Sequence, residues 1–330
     1  MKIVVIGGSG LLGYTTLETL KDYEVLAFSL PNYPKDLIIP TNTTLILKDY
    51  TKLSDEELLS YLDGAYGLIF AAGIDERVEG PPPIYDLYEK VNITPLKRLL
   101  ELSKKAKLRS VVICGSYFSY FDRLWPKLKL YQTHPYIRSR VDQANMALSL
   151  ADENFSVSVV ELPYIFGTLE HREPVWTILA DILLKQKRRT LYTKGGTTMI
   201  TKRQAAQALI GALFLEKSGT YPIGFYNMTY LDFLPIVHEG LGIDRPIYIV
   251  PTCLFKWYAK HLERKNKKAN IESGLKLSQF PKLQSKNLFI DRKIAVSLGI
   301  SEDTIKDEII ASMKLSKKAL KQNDLTKMSY

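Results

Sequence analysis

A short apolar run at residues 3–6 opens directly into Gly7-Gly8-Ser9-Gly10-Leu11-Leu12-Gly13, and a helical pattern follows. The glycines fit G-x-x-G-x-x-G on Gly7, Gly10 and Gly13, and G-x-G-x-x-G on Gly8, Gly10 and Gly13. After a strand, this spacing lets the chain turn tightly. It brings backbone N–H groups, with those of Leu11 and Leu12 opening the helix, against a diphosphate at the helix N-terminus. The rest of the first half keeps the same rhythm. Short apolar runs at 25–28, 45–47, 67–71, 110–114 and 156–161 alternate with helical patterns at 11–21, 54–62, 84–105 and 132–152. Strands that are apolar throughout and joined by long helical crossovers imply a doubly wound parallel sheet, an α/β fold covered on both faces. After Pro163 the pieces are smaller: helices at 176–185, 202–216, 231–241, 254–264 and 304–320, and strands at 190–193 and near Phe225 and Ile247. The expected division is a dinucleotide-binding domain over 1–165 and a smaller substrate-binding lobe over 166–330, whose chain could cross back to the first domain.

Composition narrows the function. The chain has 330 residues, 46% of them hydrophobic, and a net charge of +10, which fits a globular protein with ample core. Its two cysteines, Cys114 and Cys253, suit a reducing compartment, and His134, His171, His238 and His261 lack the spacing of metal ligands. Lys256, Lys260, Arg264, Lys265, Lys267 and Lys268 crowd one stretch. With no nucleic-acid reader motif beside them, they read as a solvated helix end that attracts anions. The first apolar run is too short for a signal peptide and no run of about 18 apolar residues occurs. The expectation is a cytoplasmic protein acting on a small molecule, with neither membrane nor nucleic acid as partner.

The ribose-reading position is ambiguous. A carboxylate that binds NAD ribose hydroxyls belongs at the end of the second strand, where this chain has Ser29; Asp22 and Glu24 precede that strand. Lys35 could meet a 2′-phosphate. NAD and NADP therefore both stay open, with a slight lean to NADP. Asp49, after the third strand, suits either the adenine amino group or a loop cap.

Several motifs in order resemble the extended short-chain dehydrogenase/reductase superfamily, in its NAD-dependent epimerase/dehydratase group: Gly7/Gly10/Gly13, Ala71-Ala72-Gly73, Asn92 within Val91-Asn92-Ile93, Gly115-Ser116, Tyr136-Ile137-Arg138-Ser139-Arg140, and Leu162-Pro163-Tyr164-Ile165-Phe166-Gly167. Residues 195–201 leading into Ala205 and Ala208 are similar to that group's lobe-crossing strand and helix. The resemblance implies a Rossmann-like sheet and an NAD or NADP cofactor contacted by Ala71, Ala72, Gly73, Asn92, Pro163 and Ile165. It also implies a serine that polarises the reacting oxygen, Ser116, and a tyrosine that exchanges its proton, Tyr136. The position four residues on, a lysine in that group, is Arg140 here.

Arginine keeps the spacing and the charge. Bringing a tyrosine from about 10 to about 7 needs roughly 4 kcal/mol, and a cation within about 4–6 Å, aided by an oxidised nicotinamide, can supply it. A guanidinium does not pass on a proton, so altered rather than absent chemistry is expected. Substrate candidates past the strand ends are Arg77, in Asp75-Glu76-Arg77, together with Tyr117, Arg172 and Trp176. Two functions stay open: an NAD(P)-dependent oxidoreductase, epimerase or dehydratase acting at a hydroxyl or ketone carbon of a nucleotide-sugar-like or other polar substrate, and a catalytically impaired NAD(P)-binding redox sensor. A homodimer paired through the tyrosine-bearing helix is an open expectation from the resemblance.

Overall fold

The computed structural model describes residues 1–33, 37–321 and 325, so Lys35 lies outside the described residues. The strands of the first half are β1 (Lys2–Ile6), β2 (Glu24–Ser29), β3 (Thr43–Leu47), β4 (Ala65–Phe70), β5 (Glu79–Gly80), β6 (Ser110–Ser116) and β7 (Ser156–Leu162). Those of the second half are β8 (Tyr164–Phe166), β9 (Thr190–Thr193), β10 (Gly196–Thr201), β11 (Gly219–Pro222), β12 (Tyr226–Thr229), β13 (Ile247–Val250), β14 (Glu272–Ser273) and β15 (Asn287–Leu288).

Seven strands form the main sheet in the order β11-β7-β6-β4-β1-β2-β3, all parallel. The winding reverses between β1 and β4, which opens a crevice at their carboxyl ends, where ligands bind in open α/β sheets. The alternation within β1 shows why both faces are covered. Ile3 and Val5 pack on one side with Ala205, Ala208, Leu209 and Ala212, while Val4 and Ile6 pack on the other with Leu96, Leu99, Leu100 and Ala144.

The first of those layers comes from the second half of the chain. The helix Lys202–Leu215 opens with a capping box, Thr201 accepting from Gln204 N–H and Gln204 returning to Thr201 N–H. Its alanines allow close approach to the sheet. β11 then adds the seventh strand beside β7. Both crossings follow β10, which pairs with β8 and β12 in a smaller sheet. Two helical patterns are broken in the structure. The stretch 84–105 holds a π-helical turn at Glu89–Ile93. The stretch 132–152 becomes helices Leu130–Thr133 and Pro135–Leu148, with Pro135 at the first position of the second, where a missing N–H costs nothing. Among the described residues, no helix is long and apolar enough to cross a membrane.

Candidate active site

The glycine turn sits at the crevice. Gly7 has φ +91°, and a Cβ there would lie 2.8 Å from Ala71 O; a Cβ on Gly13 would lie 2.1 Å from Gly7 O. Backbone therefore occupies the space that side chains would need. Gly10 is the N-cap of the helix Leu11–Thr19; no side chain caps it and no acid stands in its first turn. Its leading N–H groups and positive end thus face the crevice with no side-chain cap or first-turn acid among the described residues. At the end of β2, Ser29 is buried and its hydroxyl has no hydrogen-bond partner among the described residues. These features fit a dinucleotide: amides for the diphosphate and an unpaired hydroxyl where the adenine ribose would lie. Asp49 is engaged as a cap, accepting from Thr51 N–H at 3.1 Å and pairing with Lys52 at 3.3 Å.

Across the crevice, Gly73 has φ +127° and leaves space that Asn92 fills; a Cβ at Gly73 would meet Asn92 Oδ1 at 2.6 Å. Asn92 clamps the backbone of Ile74, accepting from its N–H at 2.8 Å and donating to its carbonyl at 3.0 Å. Pro163 is buried after β7. The carbonyl of Ile165 accepts from Trp176 Nε1 at 2.8 Å.

The helix Pro135–Leu148 brings Tyr136 and Arg140 onto one face, both buried. Arg140 Nε donates to Tyr136 Oη at 3.2 Å, Nη1 to Gln143 Oε1 at 2.9 Å and Nη2 to Ile74 O at 3.0 Å. Gln143 in turn donates to Asn92 O at 2.6 Å. No carboxylate lies within ion-pair distance of this guanidinium among the described residues, and three neutral acceptors fix its plane. Gln143 is the residue that motif reasoning missed; its only signal is its place one turn beyond Arg140 on the same face.

Burial pushes the Tyr136 phenol above its ordinary pKa, Arg140 pulls against this, and Glu76 and Asp75 add to the rise. Arg140 alone therefore does not offset burial at the phenol, and the expected lowering would need the charge of an oxidised nicotinamide beside it. Glu76 is itself raised, mainly by burial and then by Asp75. It shares its surroundings with Tyr88, Tyr117 and Tyr164, each of whose phenols it helps to raise.

Ser116 ends β6 and caps the helix Tyr117–Leu124, its hydroxyl accepting from Phe118 N–H at 3.4 Å. The Phe118 ring stands edge-on to Tyr136 with centroids 6.4 Å apart, so the strand end and the tyrosine helix meet there. Tyr117 turns toward the second half and shares a hydrogen bond of 3.1 Å with Thr197. Arg77 is held by Asp75, at 2.5 Å, and by Val175 O at 3.2 Å. Arg172 is brought to the glycine turn instead, where its Nη1 donates to Ser9 O at 3.1 Å. Trp176 packs flat on Phe166 at 4.3 Å. A strap from the second half closes over the tyrosine: Gly274 O accepts from Tyr136 N–H at 2.9 Å, and β14 pairs with β5 beside it.

Comparison with solved structures returns the same architecture over nearly the whole chain. The protein gox2253 superposes with a TM-score of 0.75 at 16% identity, covering 96% of this chain and 98% of its own. A nucleoside-diphosphate-sugar epimerase from Pseudomonas aeruginosa gives 0.70 at 14% identity, covering 97% and 98%. A UDP-glucuronic acid 4-epimerase from Bacillus cereus, in complex with a fluorinated UDP-glucuronic acid and NAD, gives 0.68 at 14% identity, covering 97% and 100%. No curated protein sequence matches the chain. A family model matches residues 3–199, from the first strand through the lobe-crossing strand, and the chain belongs to the NAD dependent epimerase/dehydratase family.

Proposed function

We propose that the protein is an NAD(P)-dependent enzyme that moves hydride at a hydroxyl or ketone carbon of a nucleotide-sugar-like substrate. The observation that carries this is the buried contact of Arg140 Nε with Tyr136 Oη at 3.2 Å, at the crevice opposite the glycine turn. Nucleotide sugars enter as substrate class because solved structures of similar fold hold them, among them the UDP-glucuronic acid 4-epimerase in complex with a UDP-sugar analogue and NAD.

When bound, the nicotinamide supplies or accepts the hydride. Tyr136 serves as general acid/base, giving its proton to a carbonyl oxygen on reduction and taking one from a hydroxyl on oxidation. Arg140 stabilises the phenolate, and Gln143 and Ile74 O hold the guanidinium so that Nε stays on the phenol. Ser116 polarises the reacting oxygen while its own oxygen remains the helix cap. Leu11, Leu12 and Gly13 amides take the diphosphate, and Ser29 takes a ribose hydroxyl. Arg172, which sequence reasoning placed with the substrate, reaches for the diphosphate in this reading, which its contact with Ser9 O supports. Arg77, Tyr117 and Trp176 remain on the substrate side. The sensor reading has one observation in its favour, the phenol raised by burial despite Arg140.

Cofactor titration with NAD(H) and NADP(H), followed by turnover assays on a panel of UDP- and dTDP-sugars, separates the two readings. Turnover lost in Tyr136→Phe supports the enzyme. Tight cofactor binding with no Tyr136-dependent turnover across the panel overturns it.

A further inference from the structure

The helix Thr252–Lys268 runs for 17 residues and buries none of them. The 14-residue helices Pro135–Leu148 and Lys202–Leu215 each bury seven. A helix held by a folded protein ordinarily hides an apolar stripe. Here Phe255, Ala259 and Leu262 lie on the half-buried side, while Leu254, Trp257 and Tyr258 face outward with 56%, 74% and 56% of their surface exposed. Positions 254, 257 and 258 are neighbours on one helical face, so these side chains form a single apolar ridge. Further along the exposed side come Lys260, Arg264, Lys265, Lys267 and Lys268. The one acid of the helix, Glu263, turns to the protein, where its carboxylate accepts from Ser278 N–H at 2.8 Å. Beside the start of the helix, Tyr248 and Leu191, in register across β13 and β9, are also exposed, and Arg189 lies 5.9 Å from the Tyr248 ring.

We propose that this helix docks the protein on an anionic phospholipid bilayer, with Leu254, Trp257 and Tyr258 entering the headgroup layer and the basic half of the helix binding lipid phosphates. An apolar ridge or a basic patch alone gives weak, reversible attachment, and this helix carries both on one side. Tryptophan and tyrosine, apolar bodies with a polar edge, suit the depth of the headgroups. A second copy of the same helix would set two rows of cations against each other, which disfavours self-pairing. A nucleic-acid surface would interleave aromatics with cations along a groove, whereas here Lys256 alone falls within the ridge and the other cations, from Lys260 to Lys268, follow it along the helix. The inference goes beyond the proposed chemistry and departs from the solvated helix end expected from the sequence, which shows the charges but not that Trp257 stays outside.

The test is sedimentation of the full chain with phosphatidylcholine vesicles, with and without phosphatidylglycerol, at about 0.1 M salt, where the screening length is about 10 Å. Binding to the anionic vesicles alone is expected, with a blue shift of tryptophan emission that Trp257→Phe removes. Leu254→Ser with Trp257→Ser should weaken partition by about tenfold or more. Each of Lys260→Gln, Arg264→Gln and Lys267→Gln should weaken it about fivefold. Unchanged circular dichroism and cofactor titration confirm that these variants fold. The proposal is overturned if the wild-type chain stays in the supernatant with anionic vesicles, or if partition ignores the Leu254/Trp257 pair. Trp257-dependent self-association, or binding of RNA without binding of vesicles, overturns it equally.

Discussion

Tyr136 holds its proton more firmly than a tyrosine in water, because loss of solvent outweighs the guanidinium beside it. Under the proposed function, Tyr136→Phe should lower kcat by about 100-fold or more and leave the cofactor Kd nearly unchanged. Arg140→Met removes the one group that pulls the phenol down. The basic limb of the kcat/KM pH profile should then move to higher pH, and Arg140→Lys should restore most of its position; a profile that ignores both changes would refute a role for Arg140 at the phenol. Arg172→Ala should raise the cofactor Kd about tenfold with little change in kcat, read by titration, since a charged hydrogen bond is worth about 1.5–3 kcal/mol. Tyr136 and Arg140 were singled out by the family resemblance, and their shared face was legible because their spacing is one helical turn. Gln143 was not: a glutamine carries no motif, and its part depends on Asn92, in the π-helical turn, and Ile74, in the loop after β4, being brought together beside it. The ambiguity at Asp49 was equally physical, since one carboxylate in that position suits both an adenine amino group and the cap of a turn.

At the level of elements, the helix Lys202–Leu215 depends on the residue that caps it. Thr201 both caps the helix and donates to Asp303 Oδ2 at 2.6 Å. Thr201→Ala should therefore cost about 1–2 kcal/mol in urea unfolding, and Thr201→Ser should recover most of it. Strands β1, β4, β6 and β7 and the helix after the glycine turn follow from the sequence because apolar runs buried on both faces leave little choice. The edge strand β11 was missed for the opposite reason: Gly219 and Pro222 read as loop, and a half-buried edge tolerates them. The π-helical turn at Glu89–Ile93 has no signature in an otherwise regular helical pattern. It is what places Asn92 against Ile74, so the local irregularity and the site are one feature.

For the whole molecule, the acid limb of stability has an identifiable contributor. His134 is buried and its Nδ1 accepts from Lys276 N–H at 3.0 Å; burial, then Lys276, pushes its pKa down to about 4. An unfolded histidine titrates near 6.5, so the unfolded chain binds more protons between these values. The stability is present above about pH 6.5 and is lost as pH falls toward 4, with about 2 kcal/mol gone by pH 5. Urea unfolding at pH 7 and pH 5 should show this loss, and His134→Asn should flatten it.

Tyr136 is anchored at its amide by Gly274, from the second half of the chain. A Cβ at Gly274 would come within 2.0 Å of Tyr88 Oη, so the strap lies flush against the residues around the phenol. The nucleotide half consequently cannot be excised as a working module. A fragment ending at residue 165 would forfeit a sheet edge, the covering of one face and the anchor of Tyr136, whereas co-expressed halves could restore all three by reassembly.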